Sequence, residues 1–507
     1  MAKIADSVPP GYTLYPSQQE VLAELDKEWT RNKVFVLNAP VAAGKSLMAV
    51  TLAEHLKKQG KSVAIMTPQV VLQDQVAADF PDIPVLKGKT RYSCHDETFP
   101  TCEDRFNAYQ NLTDEEGVPL RSYCQGCPYI TAKKKIEESQ IGFYNLYSYL
   151  LGDVGKSDVL IVDEAHAIIA QLQELYTLRL YKSEVKYPNN IKTQGDLAVW
   201  MEGEVHKMED IGKEDVEPKV YMKIRGTINK YKMMIDGINR SPGHFFYEKK
   251  TSKFKGVEQE SIEVRPFTLH HVGDKLWKGH EKILLMSATI IPQDLEYMGL
   301  QKLRSHYFEG PSSIPAENRP ILVMPIAQMS YANQDAGAEK MSQTILELIE
   351  KHQGKGLIHT TYGLAQVFKK HLKHPRLMWH TQDNKSAVYD EFRATEENRV
   401  LVASGMSEGI DLVGTDYEWQ VITKIMFPSL GDNLIKRQRE MEPVWYDWQA
   451  IKMTIQQIGR ICRTPTDYGV TLILDANFNF LYFKNKKLFP SYIQSALQWP
   501  KTKKEKK

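Results

Sequence analysis

Short continuous apolar runs alternate along this chain with longer stretches of helical spacing. Such runs occupy residues 34–37, 62–66 and 159–162 and recur in KILLMSATI, with helical segments between them. Buried strands that alternate with amphipathic helices are typical of parallel α/β sheets. The alternation returns after residue 320 in ILVMPI, GLIHTTY and VLVASGMSEGIDL. The pattern therefore predicts an α/β protein with two parallel sheets.

Three segments interrupt or separate these sheets. Residues 310–320 are rich in Pro, Ser and Gly, which predicts a linker. Between residues 168 and 276, helical spacing recurs with mixed charge and no strand alternation until about Ile262, which predicts a helical insertion without chemistry of its own. The predicted divisions are 1–86, 131–167 and 277–312 for the first sheet domain, 87–130 for a cysteine-rich insertion, 168–276 for the helical insertion and 313–507 for the second sheet domain.

The stretch NAPVAAGKS at residues 38–46 lies between the first apolar run and a helical segment. A strand, a tight loop and a helix are the setting of a phosphate-binding loop, because backbone N–H groups at the helix start point at the anion. Lys45 would reach the β and γ phosphates, and Ser46 would bind Mg²⁺. The usual first Gly is Ala39 here, so an ordinary strand-to-helix turn remains the alternative. The backbone of the loop would be supplied by Ala39, Pro40, Val41, Ala42, Ala43 and Gly44.

Two later apolar runs end in polar residues that suit an NTPase. In VLIVDEAH the apolar run is followed by Asp163 and Glu164. Asp163 would hold Mg²⁺ through water, and Glu164 would polarise the attacking water. A solvated turn is the alternative for two adjacent carboxylates. In KILLMSATI the apolar run ends in Ser287, Ala288 and Thr289, and the small hydroxyl residues there can relay the nucleotide state to a bound polymer.

Two further polar sites are weaker candidates. Gln18 and Gln19 begin an amphipathic helix, where an amide can pair with the adenine edge, although polar helix starts are common. Glu408, Gly409 and Asp411 occupy a strand-to-loop junction that could bridge nucleotide and polymer, or could be a plain acidic loop.

The segment IQQIGRICRTP carries two arginines. Steps of three and four residues predict Gln456, Arg460 and Arg463 on one helical face. Arginines from a second domain can complete a γ-phosphate site when the two sheets close. A solvent or salt-bridge face is the alternative.

Four of the five cysteines crowd into one segment with the spacing C-x7-C-x21-C-x2-C. The segment contains Pro and Gly and has little periodicity, so its core is too small to fold without a staple. Four thiolates suit zinc or an iron–sulfur cluster equally, and unrelated buried cysteines are the third possibility. Cys462 lies apart, as a structural thiol. The candidate metal ligands are Cys94, Cys102, Cys124 and Cys127, with Ser46 and Asp163 for Mg²⁺.

Composition narrows the class only slightly. The 507 residues are 42% hydrophobic and 25% charged with a formal net charge of +2, so bulk charge neither demands nor excludes nucleic acid. The start has no apolar core of signal-peptide length, and no run of about 18 apolar residues occurs. We therefore expect a soluble, intracellular protein that does not engage membranes.

Four motifs occur in a set order: the loop, DEAH at 163–166, SAT at 287–289 and QxxGRxxR at 456–463. With them the chain resembles the superfamily 2 helicases. The cysteine segment is introduced by LKGKTRYSC and closed by CQGCPY. It lies between TPQ at 67–69 and DEAH, and in this placement it resembles the iron–sulfur domain of the XPD and DinG-like DNA helicases. The helical insertion sits where that family carries its arch domain. Ala42 stands where the family usually has Gly, and the cysteine spacings are shorter than in its best-known members.

The resemblance implies two RecA-like domains that hydrolyse ATP with Mg²⁺ in their cleft. It implies a monomer that translocates on single-stranded DNA, 5′ to 3′, and separates the strands of forked duplex DNA. It favours a [4Fe-4S] cluster over zinc at the four cysteines. The implied roles are nucleotide binding for Lys45 and Ser46, adenine contact for Gln18, motif II for Asp163, Glu164 and His166, motif V for Asp411, and arginine fingers for Arg460 and Arg463.

Two rival interpretations remain. One is a translocase or RNA-dependent ATPase that displaces protein instead of separating strands. The other is a zinc-stapled nucleic-acid-binding protein with a silent ATPase, which Ala42 makes conceivable.

Overall fold

A computed structural model describes most of the chain. The described residues are 2–68, 70–109, 126–152, 154–212, 215–241, 243–254, 257–406, 412 and 417–500. None of the helices in these ranges is long and apolar enough to cross a membrane.

The chain divides into two compact units. The first unit comprises Met1–Thr13, Leu22–Leu37 and Lys45–Phe308. The second unit comprises Leu14–Val21, Asn38–Gly44 and Glu309–Lys507, so two short N-terminal stretches group with the C-terminal half of the chain. The main division falls just before the predicted linker, and the finer boundaries within the first half stay predictions.

The central strands of the first unit are buried at every position, as in sheets covered by helices on both faces. Seven of the strands form a parallel sheet in the order β10-β1-β9-β5-β2-β4-β3. Val162 of β5 pairs with Met66 of β2 and Leu285 of β9, so the residues that follow these strands lie at one edge. The strands are β1 (Val34–Asn38), β2 (Val63–Thr67), β3 (Val85–Leu86), β4 (Ile141–Asn145), β5 (Val159–Val162), β6 (Leu178–Tyr181), β7 (Phe245–Phe254), β8 (Val257–Pro266), β9 (Lys282–Ser287) and β10 (Ser305–Glu309).

Helices separate these strands as the pattern predicts for a parallel sheet. Helix α2 begins at Lys45 and is buried along most of its length, because it lies against the sheet. The helices of this part of the chain are α1 (Pro16–Glu28), α2 (Lys45–Lys57), α3 (Val70–Asp79), α4 (Cys102–Tyr109), α5 (Pro128–Ser139), α6 (Leu146–Leu151), α7 (His166–Leu175), α8 (Gln194–Glu209), α9 (Pro218–Arg240), α10 (His270–Trp277) and α11 (Asp294–Tyr297).

The insertion between DEAH and SAT is not purely helical, which corrects the sequence prediction. It holds α8 and α9 but also an antiparallel sheet in the order β6-β8-β7. The strands escaped notice because one face of the sheet is charged and its charges pair across strands: Glu263 contacts Lys250 and accepts from Arg179 Nε at 2.8 Å. Cross-strand ion pairs stabilise this charged face, whereas the opposite face is apolar and buried through Leu178, Leu180, Ile262 and Val264.

The second unit contains the other seven-stranded parallel sheet, in the order β13-β14-β12-β15-β16-β11-β17. With the first sheet it confirms the predicted fold of two RecA-like α/β domains. Its strands are β11 (Ile321–Ala327), β12 (Lys355–Thr360), β13 (Leu377–Met378), β14 (Val400–Ser404), β15 (Tyr417–Ile422), β16 (Val470–Asp475) and β17 (Leu497–Gln498). Its helices are α12 (Gln334–Lys351), α13 (Tyr362–His371), α14 (Lys385–Ala394), α15 (Asn433–Met441), α16 (Pro443–Ile458), α17 (Asn477–Asn485) and α18 (Ser491–Ala496).

Candidate nucleotide site and its surroundings

The first unit brings Lys45 and Ser46 to the DEAH residues. Lys45 Nζ lies 3.1 Å from Glu164 Oε1, and Ser46 Oγ donates to Asp163 Oδ2 at 3.4 Å. Lys45 and Ser46 open α2, whereas Asp163 and Glu164 follow β5, more than a hundred residues later. The convergence arises because α2 starts, and β5 ends, at the same edge of the sheet.

A second chain of contacts connects DEAH to the SAT strand. His166 Nδ1 lies 3.3 Å from Glu164 Oε2 and 2.8 Å from Ser287 Oγ, and the Thr289 N–H donates to Ser287 Oγ at 3.0 Å. Glu164 is held with a left-handed backbone at φ 48°, a conformation that a non-glycine residue adopts at a cost of roughly 1–3 kcal/mol. Strain of this kind is typical of functional sites.

The pKa values of the two adjacent carboxyl groups are shifted in opposite directions. Burial raises the pKa of Asp163 to about 6, against the pull of Lys45 and with help from the charge of Glu164. Burial would also raise the pKa of Glu164, but the Lys45 ammonium, together with His166, holds it below its usual value. Glu164 therefore stays ionised, as a carboxylate that polarises water must be.

Asp163 and Ser46 fit a magnesium ion. A buried carboxylate beside a hydroxyl supplies the hard oxygen ligands that Mg²⁺ prefers, and a cation would favour the ionised form of Asp163 that burial opposes. The lysine beside them suits a phosphate chain.

Gln18 is buried against the loop with both ends of its amide bonded to the backbone, and its contact with adenine stays a prediction. Its Nε2 donates to Ala43 O at 3.0 Å, and its Oε1 accepts from Tyr15 N at 2.9 Å. A Cβ on Gly44 would come within 2.1 Å of Gln18 Nε2, and Gly44 has φ 69°, so a side chain there would be strained and would displace the Gln18 amide. Ala42 has φ 64°, the left-handed conformation in which Gly is favoured. The loop also turns on itself through the Ala43 N–H, which donates to Pro40 O at 3.2 Å.

The arginine segment differs from the prediction of a single helical face. Helix α16 ends at Ile458, so Gln456 lies in its last turn while Arg460 and Arg463 lie beyond it. Gly459 forms the C-cap and Cys462 has φ 64°, and a left-handed residue cannot continue a helix. Arg460 still folds back on the helix end, because its Nε donates to Gln456 O at 2.9 Å.

The same turn is packed against the phosphate loop within the second unit. A Cβ on Gly459 would lie 2.6 Å from Val41 Cγ2, so glycine is needed for this close approach. Cys462 is buried beside the turn, and burial raises the pKa of its thiol to about 12. This agrees with its expected structural role.

Sequence reasoning missed a buried polar network below α16. Gln420 Nε2 donates to Ile458 O and Thr471 Oγ1, both at 2.8 Å, and its Oε1 lies 3.0 Å from His359 Nε2. Burial lowers the pKa of His359 to about 4, with Gln420 opposing and Arg460 adding to the shift, so the ring is neutral. A polar residue inside the apolar runs GLIHTTY and YEWQVI was the available signal.

The cysteine segment is only partly within the described residues. Two contacts connect its described parts: Ser93 forms a backbone bridge with Thr101, and the His95 side chain lies with Nε2 2.8 Å from Gly126 O. Cys94, Cys102 and Cys127 are sequence neighbours of these residues. Cys127 Sγ caps α5 by accepting from the Ile130 N–H at 3.4 Å. Among the described side chains, no three Cys, His, Asp or Glu residues are arranged to hold a metal ion. Cys124 lies outside the described residues, as do Glu408, Gly409 and Asp411.

Two segments of the chain match known protein families. Residues 345–496 match the helicase C-terminal domain, and residues 11–193 match the type III restriction enzyme res subunit. A probable ATP-dependent helicase of Methanocaldococcus jannaschii is 25% identical over 232 residues, which are 39% of this chain and 35% of that protein. A regulator of telomere elongation helicase 1 homolog of Aedes aegypti is 31% identical over 105 residues, 18% of this chain and 10% of the relative. The matches thus span about a third and a tenth of these two relatives.

Solved structures of XPD share the fold over nearly the whole chain. One XPD helicase superposes with a TM-score of 0.62 at 15% identity, covering 96% of this chain and all of that one. A structure of apo XPD gives 0.60 at 14% identity, covering 95% of this chain. The match to the helicase C-terminal domain, the helicase relatives and the XPD fold together support an XPD/DinG-like superfamily 2 helicase.

Proposed function

We propose that this protein is a DNA helicase that moves 5′ to 3′ along single-stranded DNA as a monomer and separates the strands of forked duplexes. The observation that supports it most is the chain of contacts from Lys45 through Glu164 and His166 to Ser287. It connects the residue expected at the γ-phosphate to the SAT strand. A change in the bound nucleotide can therefore alter the position of the strand end where the polymer is expected to bind.

In this proposal the residues act as follows. Lys45 leaves Glu164 to hold the phosphates, and the freed Glu164 carboxylate orients the attacking water. Mg²⁺, when bound by Ser46 and Asp163, neutralises charge on the phosphates. Gln18 recognises adenine, and the amides of residues 39–44 surround the phosphate chain. Arg460 and Arg463 stabilise the transition state, and Asp411 assists from motif V.

We further propose that Cys94, Cys102, Cys124 and Cys127 hold a [4Fe-4S] cluster. The resemblance of the cysteine segment to the iron–sulfur domain supports this proposal, and its placement before DEAH favours iron over zinc. Four thiolates would staple a segment that is too small to fold alone. Anaerobically purified protein should contain about four irons per chain and be brown. One zinc per chain without visible absorbance would overturn the cluster and leave the helicase proposal standing.

ATP hydrolysis with and without polymer tests the proposal. We expect single-stranded DNA to stimulate turnover more than RNA does, and Lys45→Ala to remove both hydrolysis and ATP binding because a phosphate contact is lost. Lys61→Ala is the matched control, since Lys61 makes only an exposed pair with Glu281 in the same unit. Stronger stimulation by RNA would favour the RNA-dependent ATPase, and hydrolysis that no polymer changes would contradict the proposal.

A further inference from the structure

Helix α17 exposes two phenylalanine side chains to solvent. Phe480 is 68% and Phe483 is 67% exposed, while Phe478 and Leu481 on the packed face are fully buried. Residues three apart lie on the same side of a helix, so the two exposed rings share one face. Large aromatic side chains that are grouped on an exposed surface often mark a binding site.

Lysines follow these rings along the chain. Lys484, Lys486 and Lys487 are exposed directly after them, and Lys484 Nζ lies 5.6 Å from the centroid of the Phe480 ring. We call Phe480, Phe483 and these three lysines the aromatic–basic face. Lys484 also pairs with Asp447 at 2.8 Å, which fixes its position. Asp447 offsets the charge of Lys484, so Lys486 and Lys487 supply the positive charge of the face, which complements an anionic partner rather than a second copy of the chain.

The Phe483 ring is held in place before any partner binds. Phe483 packs against Trp499 with ring centroids 5.7 Å apart and planes 33° apart. Trp499 Nε1 donates to Asn479 Oδ1 at 3.1 Å, and the centroid of the Tyr482 ring lies 5.2 Å from that of the Trp499 ring. A surface whose side chains are already ordered loses little conformational entropy on binding.

Helix α17 starts at the edge of the sheet where ligands of parallel α/β sheets bind. Asp475, at the end of β16, accepts hydrogen bonds from the N–H groups of Met329, Ile425 and Asn477 at 3.1, 2.8 and 3.0 Å. These residues belong to the connections after β11, β15 and β16, so the carboxyl ends of three strands meet at the first turn of α17.

We propose that the aromatic–basic face binds single-stranded nucleic acid, with bases stacked on Phe480 and Phe483 and phosphates beside the lysines. Stacking on aromatic side chains next to cations is the usual way in which single strands are held without sequence preference. The inference rests on the proposed function in that the polymer is the same, and it adds a contact outside the four helicase motifs.

Equilibrium binding of a fluorescent oligothymidylate tests this. The double variant Phe480→Ala/Phe483→Ala should bind at least about tenfold more weakly, because stacking on two aromatic side chains is lost. Lys486→Ala/Lys487→Ala should reduce the slope of log affinity against log salt by about 1.4, since each phosphate contact in a single strand contributes about 0.7. Tyr331→Ala is the control, as Tyr331 is an 89% exposed aromatic residue of the same unit and should change neither quantity.

Folding of each variant is checked by circular dichroism and thermal melting. The inference is overturned if both double variants bind like the wild type, or if the phenylalanine variant only dissolves a self-associated form seen by sedimentation. If the wild type binds the oligonucleotide and hydrolyses ATP faster with it, such results refute only the role of the aromatic–basic face and leave the proposed function standing. A wild type that neither binds nor responds defeats the proposed function as well.

Discussion

In the first unit the charged side chains of the nucleotide site contact one another, whereas in the second unit the arginine turn is anchored by neutral groups. Lys45 pairs with Glu164 at 3.1 Å. Arg460 donates through Nε to the Gln456 carbonyl, and Gln420 holds the end of α16 from inside the sheet. Substitutions among the charged residues of the first unit should therefore change the chemical step. Substitutions of the neutral groups in the second unit should change where the arginine turn lies.

The largest expected effect comes from Glu164→Gln. The amide keeps the shape of the side chain but cannot polarise water, so turnover should fall by about 10⁴. ATP affinity should persist because Lys45 and Asp163 remain. Steady-state hydrolysis and binding of a fluorescent ATP analogue measure the two quantities. Glu281→Gln, which alters an exposed ion pair of the same unit, is the control. Near wild-type turnover would show that another group activates the water.

Arg460→Ala should lower turnover by about 10³, because an arginine finger stabilises charge that develops only in the transition state. KM for ATP should hardly change. Arg437→Ala, in an exposed pair with Glu440, should leave both constants as they are. An equal loss of ATP affinity would instead identify Arg460 as a ground-state contact.

Gln420→Leu probes position rather than charge. It removes the partners of the Ile458 carbonyl, the Thr471 hydroxyl and the His359 ring, so the free energy of unfolding should drop by about 3 kcal/mol. The buried Trp419 and Trp448 report unfolding in urea by fluorescence. Turnover should fall with KM unchanged, as the Arg460 turn loosens. The surface variant Gln353→Leu should alter neither stability nor turnover, and a stable Gln420→Leu would refute the role of the network.

The smallest effect is expected at Ala42→Gly. Relief of the left-handed alanine, which costs about 1 kcal/mol, should raise kcat/KM up to about fivefold. Ala43→Gly alters the next residue, whose backbone is not left-handed, and should give no gain. Equal gains in both variants would mean that general loop flexibility limits turnover, not the strain at Ala42.

The sequence predicted best what depends on local order. Lys45, Asp163, Glu164 and His166 each directly begin a helix or follow a buried strand, and the register of parallel strands then brings their side chains together. The paired sheets follow from the same alternation of strand and helix.

Features that depend on distant residues were out of reach. Strands β6 and β7 are stabilised by charge pairs across the sheet, which look like a solvated surface in one dimension. The helix face predicted for Arg460 and Arg463 is cut short because α16 ends at Ile458 with Gly459 as its C-cap, so both arginines lie beyond it. Cys462 then takes a left-handed backbone that its sequence does not announce. Gln420 acquires its meaning only from partners on two other strands and the end of α16.

Strand separation on forked duplexes tests the central claim most directly. Substrates that carry only a 5′ or only a 3′ single-stranded tail are compared with ATP and with a non-hydrolysable analogue, and Glu164→Gln serves as the inactive control. We predict ATP-dependent separation of the 5′-tailed substrate and little with the 3′ tail. Hydrolysis that DNA stimulates without separating either substrate would contradict the helicase function and favour a translocase that displaces protein.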